Sequence, residues 1–187
     1  MRIFVALNLP KKERTRIHRA SARLREEVLP VRWIDPENYH VTLKFLGDVK
    51  QEHLPEVQEI VRRVAESTLP FELTLGGFGA FPTVRRPRVV WLGVNASAEL
   101  RCLKQDLEWG LADVGFEPET RAFHPHLTLG RADSRGGAGQ FRGFDDVMAE
   151  LDFSGRAAIH TLDLMRSHLS REGARYSVLT SARLTGR

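Results

Sequence analysis

One cysteine, two tyrosines and three methionines stand in a chain of 187 residues. Cys102 alone offers no disulfide within the chain and no cysteine metal cluster, so stability must come from an apolar core in a reducing setting. Cys102 itself is expected as core filler on a helix. No apolar run approaches the roughly 20 residues that a membrane helix needs. The first ten residues are too briefly apolar for a leader and lack a small-residue cleavage pattern. A cytoplasmic protein without membrane contact is therefore expected. An acidic surplus is also missing: 24 Asp and Glu face 28 Lys and Arg, for a net charge of +4 and a pI near 9.6. That balance leans toward anionic partners such as phosphates or RNA. The signatures of several enzyme classes are absent too, among them a serine nucleophile elbow, His-Glu-x-x-His and paired acidic motifs. Residues 133–140 are rich in glycine but carry no phosphate-loop lysine, and read as a loop only.

What is present is an ordinary globular composition, 42% hydrophobic and 28% charged, long enough for one domain with an ample core. Two short stretches match each other: His40-Val41-Thr42-Leu43-Lys44-Phe45-Leu46-Gly47 and His124-Pro125-His126-Leu127-Thr128-Leu129-Gly130-Arg131. Both alternate apolar and polar residues, which predicts strands. His40 and Thr42 then share one face, as do His126 and Thr128, while Val41, Leu43, Phe45, Leu127 and Leu129 face the core. Strict alternation adds Lys44 to the face of His40, where it could help hold an anion. It sends Arg131 into the core, unless the strand ends or bulges first and frees the guanidinium.

The rest of the chain supplies elements around these strands. A strand is expected at 2–8 and an amphipathic helix at 11–28 with Ile17, Ala20, Leu24 and Val28 inward and a basic outer face. An extended piece at 31–34 leads into the first histidine strand. A helix at 53–66, a strand at 71–75 closed by Gly76-Gly77, a strand at 88–94 and helices at 98–113 and around 144–151 follow, with final strands near 157–166 and 175–184. The Pro- and Arg-rich loop from Phe81-Pro82 to Pro87 is the natural boundary between halves. His40 and His126 lie 86 residues apart (126 minus 40), and so do Arg2 and Arg88 (88 minus 2). An ancient duplication accounts for this: one bilobal domain over 1–187, with pseudo-repeat halves at roughly 1–84 and 85–187.

Two imidazoles across a cleft can divide acid and base work near neutral pH. Threonine hydroxyls two residues on can donate to phosphoryl oxygens, and phosphoryl transfer needs positioning and charge stabilisation above all. A zinc pair at His124 and His126 is the weaker reading, since no Asp, Glu or Cys at ligand spacing completes the shell. His124 could instead touch substrate at the cleft edge.

The paired His-x-Thr motifs resemble those of the 2H phosphoesterases. Their context is similar to the bacterial and archaeal RNA 2′,3′-cyclic phosphodiesterases, historically called 2′-5′ RNA ligases. The likeness runs through Arg2 to Leu9, Trp33 to Gly47, Phe78 to Pro82, Pro87 to Val94, Phe123 to Arg131 and Ser167 to Tyr176. It implies an α+β fold: duplicated β-α-β-α-β units form two lobes, their mostly antiparallel sheets flank a central cleft, and helices lie outside. It further implies His40 as proton donor, His126 as proton acceptor, and Thr42, Thr128 and Arg131 as phosphate contacts, with no metal and no cofactor. The implied reaction opens an RNA 2′,3′-cyclic phosphate, on tRNA fragments for instance, to a 2′-phosphate. A monomer without a protein partner is expected. The alternatives are joining of RNA ends as a 2′-5′ ligase and an RNA-binding module without turnover. The chain departs from the family pattern at His124, where Arg or Lys is common, at Gly130, where Ala is usual, and at His168, where an acidic residue is commoner.

Overall fold

The computed structural model describes residues 1–133, 139–170 and 173–187, so the glycine-rich stretch lies largely outside the described residues. The chain runs β1 (Arg2–Asn8), α1 (Lys11–Ala20), α2 (Ala22–Glu26), β2 (Val31–Trp33), β3 (His40–Asp48), α3 (Leu54–Ser67) and β4 (Phe71–Thr83). It continues with β5 (Arg86–Val94), α4 (Ala98–Ala112), β6 (His126–Ala132), α5 (Phe144–Glu150), β7 (Ser154–Ile159), β8 (Thr161–Ser170) and β9 (Gly173–Arg183).

The strands form one sheet in the order β7-β4-β5-β6-β3-β1-β8-β9, with β2 also beside β6. Every pairing among the described residues is antiparallel. With β2, five strands therefore lie on the β6 side of the β6–β3 junction and four on the β3 side, and that junction is a single bridge, Val41 opposite Leu127. This is the α+β class that the resemblance implies. The lobes are shared differently from two consecutive halves, however. β4 pairs with β5 from Leu75 to Thr83, so a division at 84 falls in the turn of a hairpin. β8 and β9, late in the chain, pair beside β1.

The core follows from the apolar patterns. Ile3, Val5 and Leu7 of β1, Val57, Ile60, Val61 and Val64 of α3, and Leu100, Leu103, Leu107 and Leu111 of α4 are buried in one cluster. On the opposite side of β1, Phe4 and Ala6 form a small second cluster with Met165 and Tyr176.

Several expectations needed correction. The helix at 11–28 is two helices, because the Ser21 hydroxyl donates back to the Ile17 carbonyl (2.9 Å) and closes the first. Val28 lies beyond α2 and is fully exposed. β4 runs through Gly76-Gly77 and Phe81-Pro82 instead of ending, with a register shift between Leu75 and Phe78 that absorbs the glycines. The strand near 157–166 is two strands that part at His160, one pairing with β4 and the other with β1. Cys102 sits on α4 but is exposed.

Candidate active site

The bridge between Val41 and Leu127 buries both of those side chains completely. Their neighbours must point to the opposite face. Antiparallel register then sets His40 across from Thr128 and Thr42 across from His126. Two motifs far apart in sequence thus become a two-by-two array of imidazoles and hydroxyls. His40, Thr42, Thr128 and Arg131 line one cavity of about 1020 Å³. His126 stands beside it, close enough that its charge bears on His40. Neither threonine hydroxyl has a hydrogen-bond partner among the described residues, which leaves both free to donate to a ligand.

Each ring is locked in the same manner. Nδ1 of His40 donates to the Asn38 carbonyl at 2.8 Å, and Nδ1 of His126 donates to the His124 carbonyl at 2.8 Å. A carbonyl only accepts, so Nδ1 carries the proton and Nε2 is left with its lone pair free. Aromatic rings fix the planes. His40 lies 5.0 Å from Phe4 and meets the edge of Tyr176 at 5.0 Å and 82°. His126 meets the edge of Phe81 at 5.1 Å and 82°, and Trp91 backs Phe81 at 5.1 Å.

These surroundings weaken both bases. Burial pushes His40 down to about 4; the Asn38 carbonyl opposes this, while Arg131 and His126 add to it. Burial also lowers His126, with the His124 carbonyl opposing and Arg131 and His124 adding to the fall. Both imidazoles are therefore neutral near pH 7 in the free protein, and the first proton goes to His126.

Three candidate positions need a different account from strict alternation. Register shifts pass over Leu43 in the β1–β3 pairing and Leu129 in the β5–β6 pairing. Each bulge rephases its strand. In β6 the bulge turns Arg131 out of the core and into the cleft, as its chemistry demands. In β3 the same device buries Lys44 and exposes Phe45, reversing both expectations. Lys44 does not share the face of His40. Its ammonium pairs with Glu108 at 2.6 Å and donates to the Glu117 carbonyl at 2.6 Å. Glu108 also pairs with Lys104 and accepts from the Glu119 amide. Phe45 is 60% exposed, its ring 5.6 Å from Phe4 on the cleft wall. Sequence periodicity gave no signal for it. His124 is exposed and contributes its carbonyl to His126. His168 is engaged with the Ser177 hydroxyl at 2.9 Å. No cluster of three or more His, Cys, Asp or Glu residues that could hold a metal ion occurs among the described residues.

A split antiparallel sheet whose two middle strands present paired His-x-Thr motifs at their junction defines a 2H phosphoesterase. The chain matches the model of the 2′-5′ RNA ligase superfamily over residues 14–171, and it belongs to that superfamily as an enzyme. It is 37% identical to an RNA 2′,3′-cyclic phosphodiesterase of Aeropyrum pernix over 84% of this chain and 91% of that one. It is 32% identical to the protein of that name from Methanothermobacter thermautotrophicus over 98% and 99%. Among solved structures, TT0787 of Thermus thermophilus superposes with a TM-score of 0.82 at 28% identity, covering 100% of this chain and 99% of that one. LigT of Escherichia coli, solved with 3′-AMP, superposes with a TM-score of 0.78 at 30% identity and 98% coverage of both.

Proposed function

We propose that the protein opens terminal 2′,3′-cyclic phosphates on RNA, leaving a 2′-phosphomonoester and a free 3′-hydroxyl. The observation that carries this reading is the Val41–Leu127 bridge, which brings two His/Thr pairs to one surface with both Nε2 atoms unengaged. Water attacks phosphorus as His126 Nε2 takes its proton. The bond from phosphorus to the 3′ oxygen breaks, and His40 Nε2 protonates that oxygen. Thr42, Thr128 and Arg131 hold the non-bridging oxygens. His40 needs a proton that the free protein withholds from it. An anionic phosphate between the rings favours the imidazolium and supplies the missing stabilisation. The exposed face of Phe45 offers a stacking platform for a base. His124, at the edge of the site, is a further contact. The reaction runs without metal, in the cytoplasm, on a monomer, with RNA fragments such as those of tRNA as substrates.

Ligation uses the same groups in the same roles, with a 5′-hydroxyl attacking phosphorus in place of water as the 3′ oxygen leaves, and water at its ordinary concentration competes with it. Incubation with a cyclic-ended oligonucleotide and a 5′-hydroxyl acceptor separates the two. Hydrolysed product dominates in the present account, EDTA leaves the rate unchanged, and His40→Ala and His126→Ala each lower turnover at least about 100-fold. Wild-type turnover in either variant would refute the mechanism, and ligated product in excess would reverse the assignment.

A further inference from the structure

Arg32 of β2 lies directly opposite Arg131 of β6 in an antiparallel ladder. Directly opposed residues share a face, and like charges so placed repel. Both are exposed, both line the same cavity, and neither has an acidic partner among the described residues. The arrangement is built. The residues flanking Arg32, Val31 and Trp33, pack over Gly130, where an added Cβ would sit 2.6 Å from a Val31 methyl and 2.7 Å from the Trp33 ring. The missing side chain at 130 lets these two residues seat against β6, and strand alternation then aims Arg32 at the cleft. Arg2 joins them from β1, so three arginines face one carboxylate, Asp133, among the described residues lining the cavity. A cationic pair held together at this cost, with neither guanidinium ion-paired among the described residues, fits an anion that comes with the ligand.

We propose that Arg32 is a second anion subsite, which takes the phosphodiester linking the terminal nucleotide of the substrate to its 5′ neighbour. This rests on the proposed opening of cyclic phosphate ends, in which Arg131 attends the reacting phosphate. Arg32, one strand further out, meets the next phosphate of the same backbone, and its planar fork suits two phosphate oxygens. The subsite makes the enzyme selective for polynucleotide ends over free cyclic nucleosides.

The test compares three substrates: adenosine 2′,3′-cyclic phosphate with a 5′-hydroxyl, the same compound with a 5′-phosphate, and a diadenylate ending in the cyclic phosphate. For the wild type, kcat/KM rises on adding the 5′-phosphate or the second nucleotide. Arg32→Gln removes that gain, lowering the two phosphate-bearing substrates about 10- to 100-fold more than the first. It also flattens the slope of log(kcat/KM) against log salt for the diadenylate by roughly 0.7. Lys12→Gln removes a charge from the exposed face of α1 and leaves all three rates in place. An Arg32→Gln variant that loses equally on all three substrates, or on none, overturns the subsite while leaving the reaction intact. Failure of the wild type to open any of them overturns the enzymatic reading and the subsite with it.

Discussion

His40 and His126 are made of the same groups and held by the same kind of carbonyl, yet the rings around them are not equivalent. His40 is wedged between Phe4 and Tyr176, and among the described residues His126 meets only the Phe81 ring. Burial holds His40 near 4 and His126 below its ordinary 6.5. The form with one proton on the pair then predominates above about 4 and only on the acid side of the ordinary histidine range. Because kcat/KM reports the free enzyme, its bell should peak on the acid side of pH 6.5 and fall above it. The alkaline limb of kcat should lie higher, since bound phosphate favours the imidazolium. A kcat/KM profile still climbing past pH 7 would contradict this. Stability carries the same sign. Unfolded histidine takes a proton near 6.5 and folded His40 only near 4, so the unfolded state binds more protons between those values. Stability therefore declines as the pH falls through that window. At this scale the shared polar face of the two histidines and their threonines was legible, because each motif carries its own alternation. Lys44 and Phe45 were not. Their faces depend on one extra residue in a bulge, which alternation cannot register.

At the scale of elements, the bulges at Leu43 and Leu129 sit at the same 86-residue spacing as the histidines and do opposite work. One delivers Arg131 to the cleft; the other ties Lys44 to α4. Glu108 of α4 gathers Lys44, Lys104 and the Glu119 amide, and so links β3 to the segment leading into β6. Burial alone would raise the Glu108 carboxyl, but its cationic and amide donors hold it below the usual range. Glu108→Gln leaves the Lys44 ammonium buried, 7% exposed, without a charged partner. A loss of about 3 kcal/mol is expected, read as a lower urea midpoint at constant slope. An unchanged midpoint would show that the pair contributes nothing net. Helix and strand identities were mostly readable from periodicity. The corners were not: Ser21 breaks a helix by a hydroxyl bond, and His160 marks a change of lobe with neither glycine nor proline to announce it.

At the scale of the whole molecule, one sheet is joined across its middle by a single bridge, and the cavity lined by His40, Thr42, Thr128 and Arg131 opens beside it. No helix among the described residues is long and apolar enough to cross a membrane. The paired motifs pointed to the class, but not to the way the lobes trade strands. β4 and β8 each pair outside their own half of the chain, a long-range choice that local patterns do not encode. In the proposed reaction, this architecture brings two imidazole nitrogens, from opposite sides of the junction, to one reacting phosphorus. The most direct test follows the oxygen. A cyclic-ended oligonucleotide is turned over in water enriched in oxygen-18, and the product phosphate is read by phosphorus NMR. The account predicts one labelled oxygen in a 2′-phosphomonoester for the wild type, and loss of that signal on the same timescale for His40→Ala and His126→Ala. A 3′-phosphate product, or label entering at the wild-type rate in either variant, would contradict it.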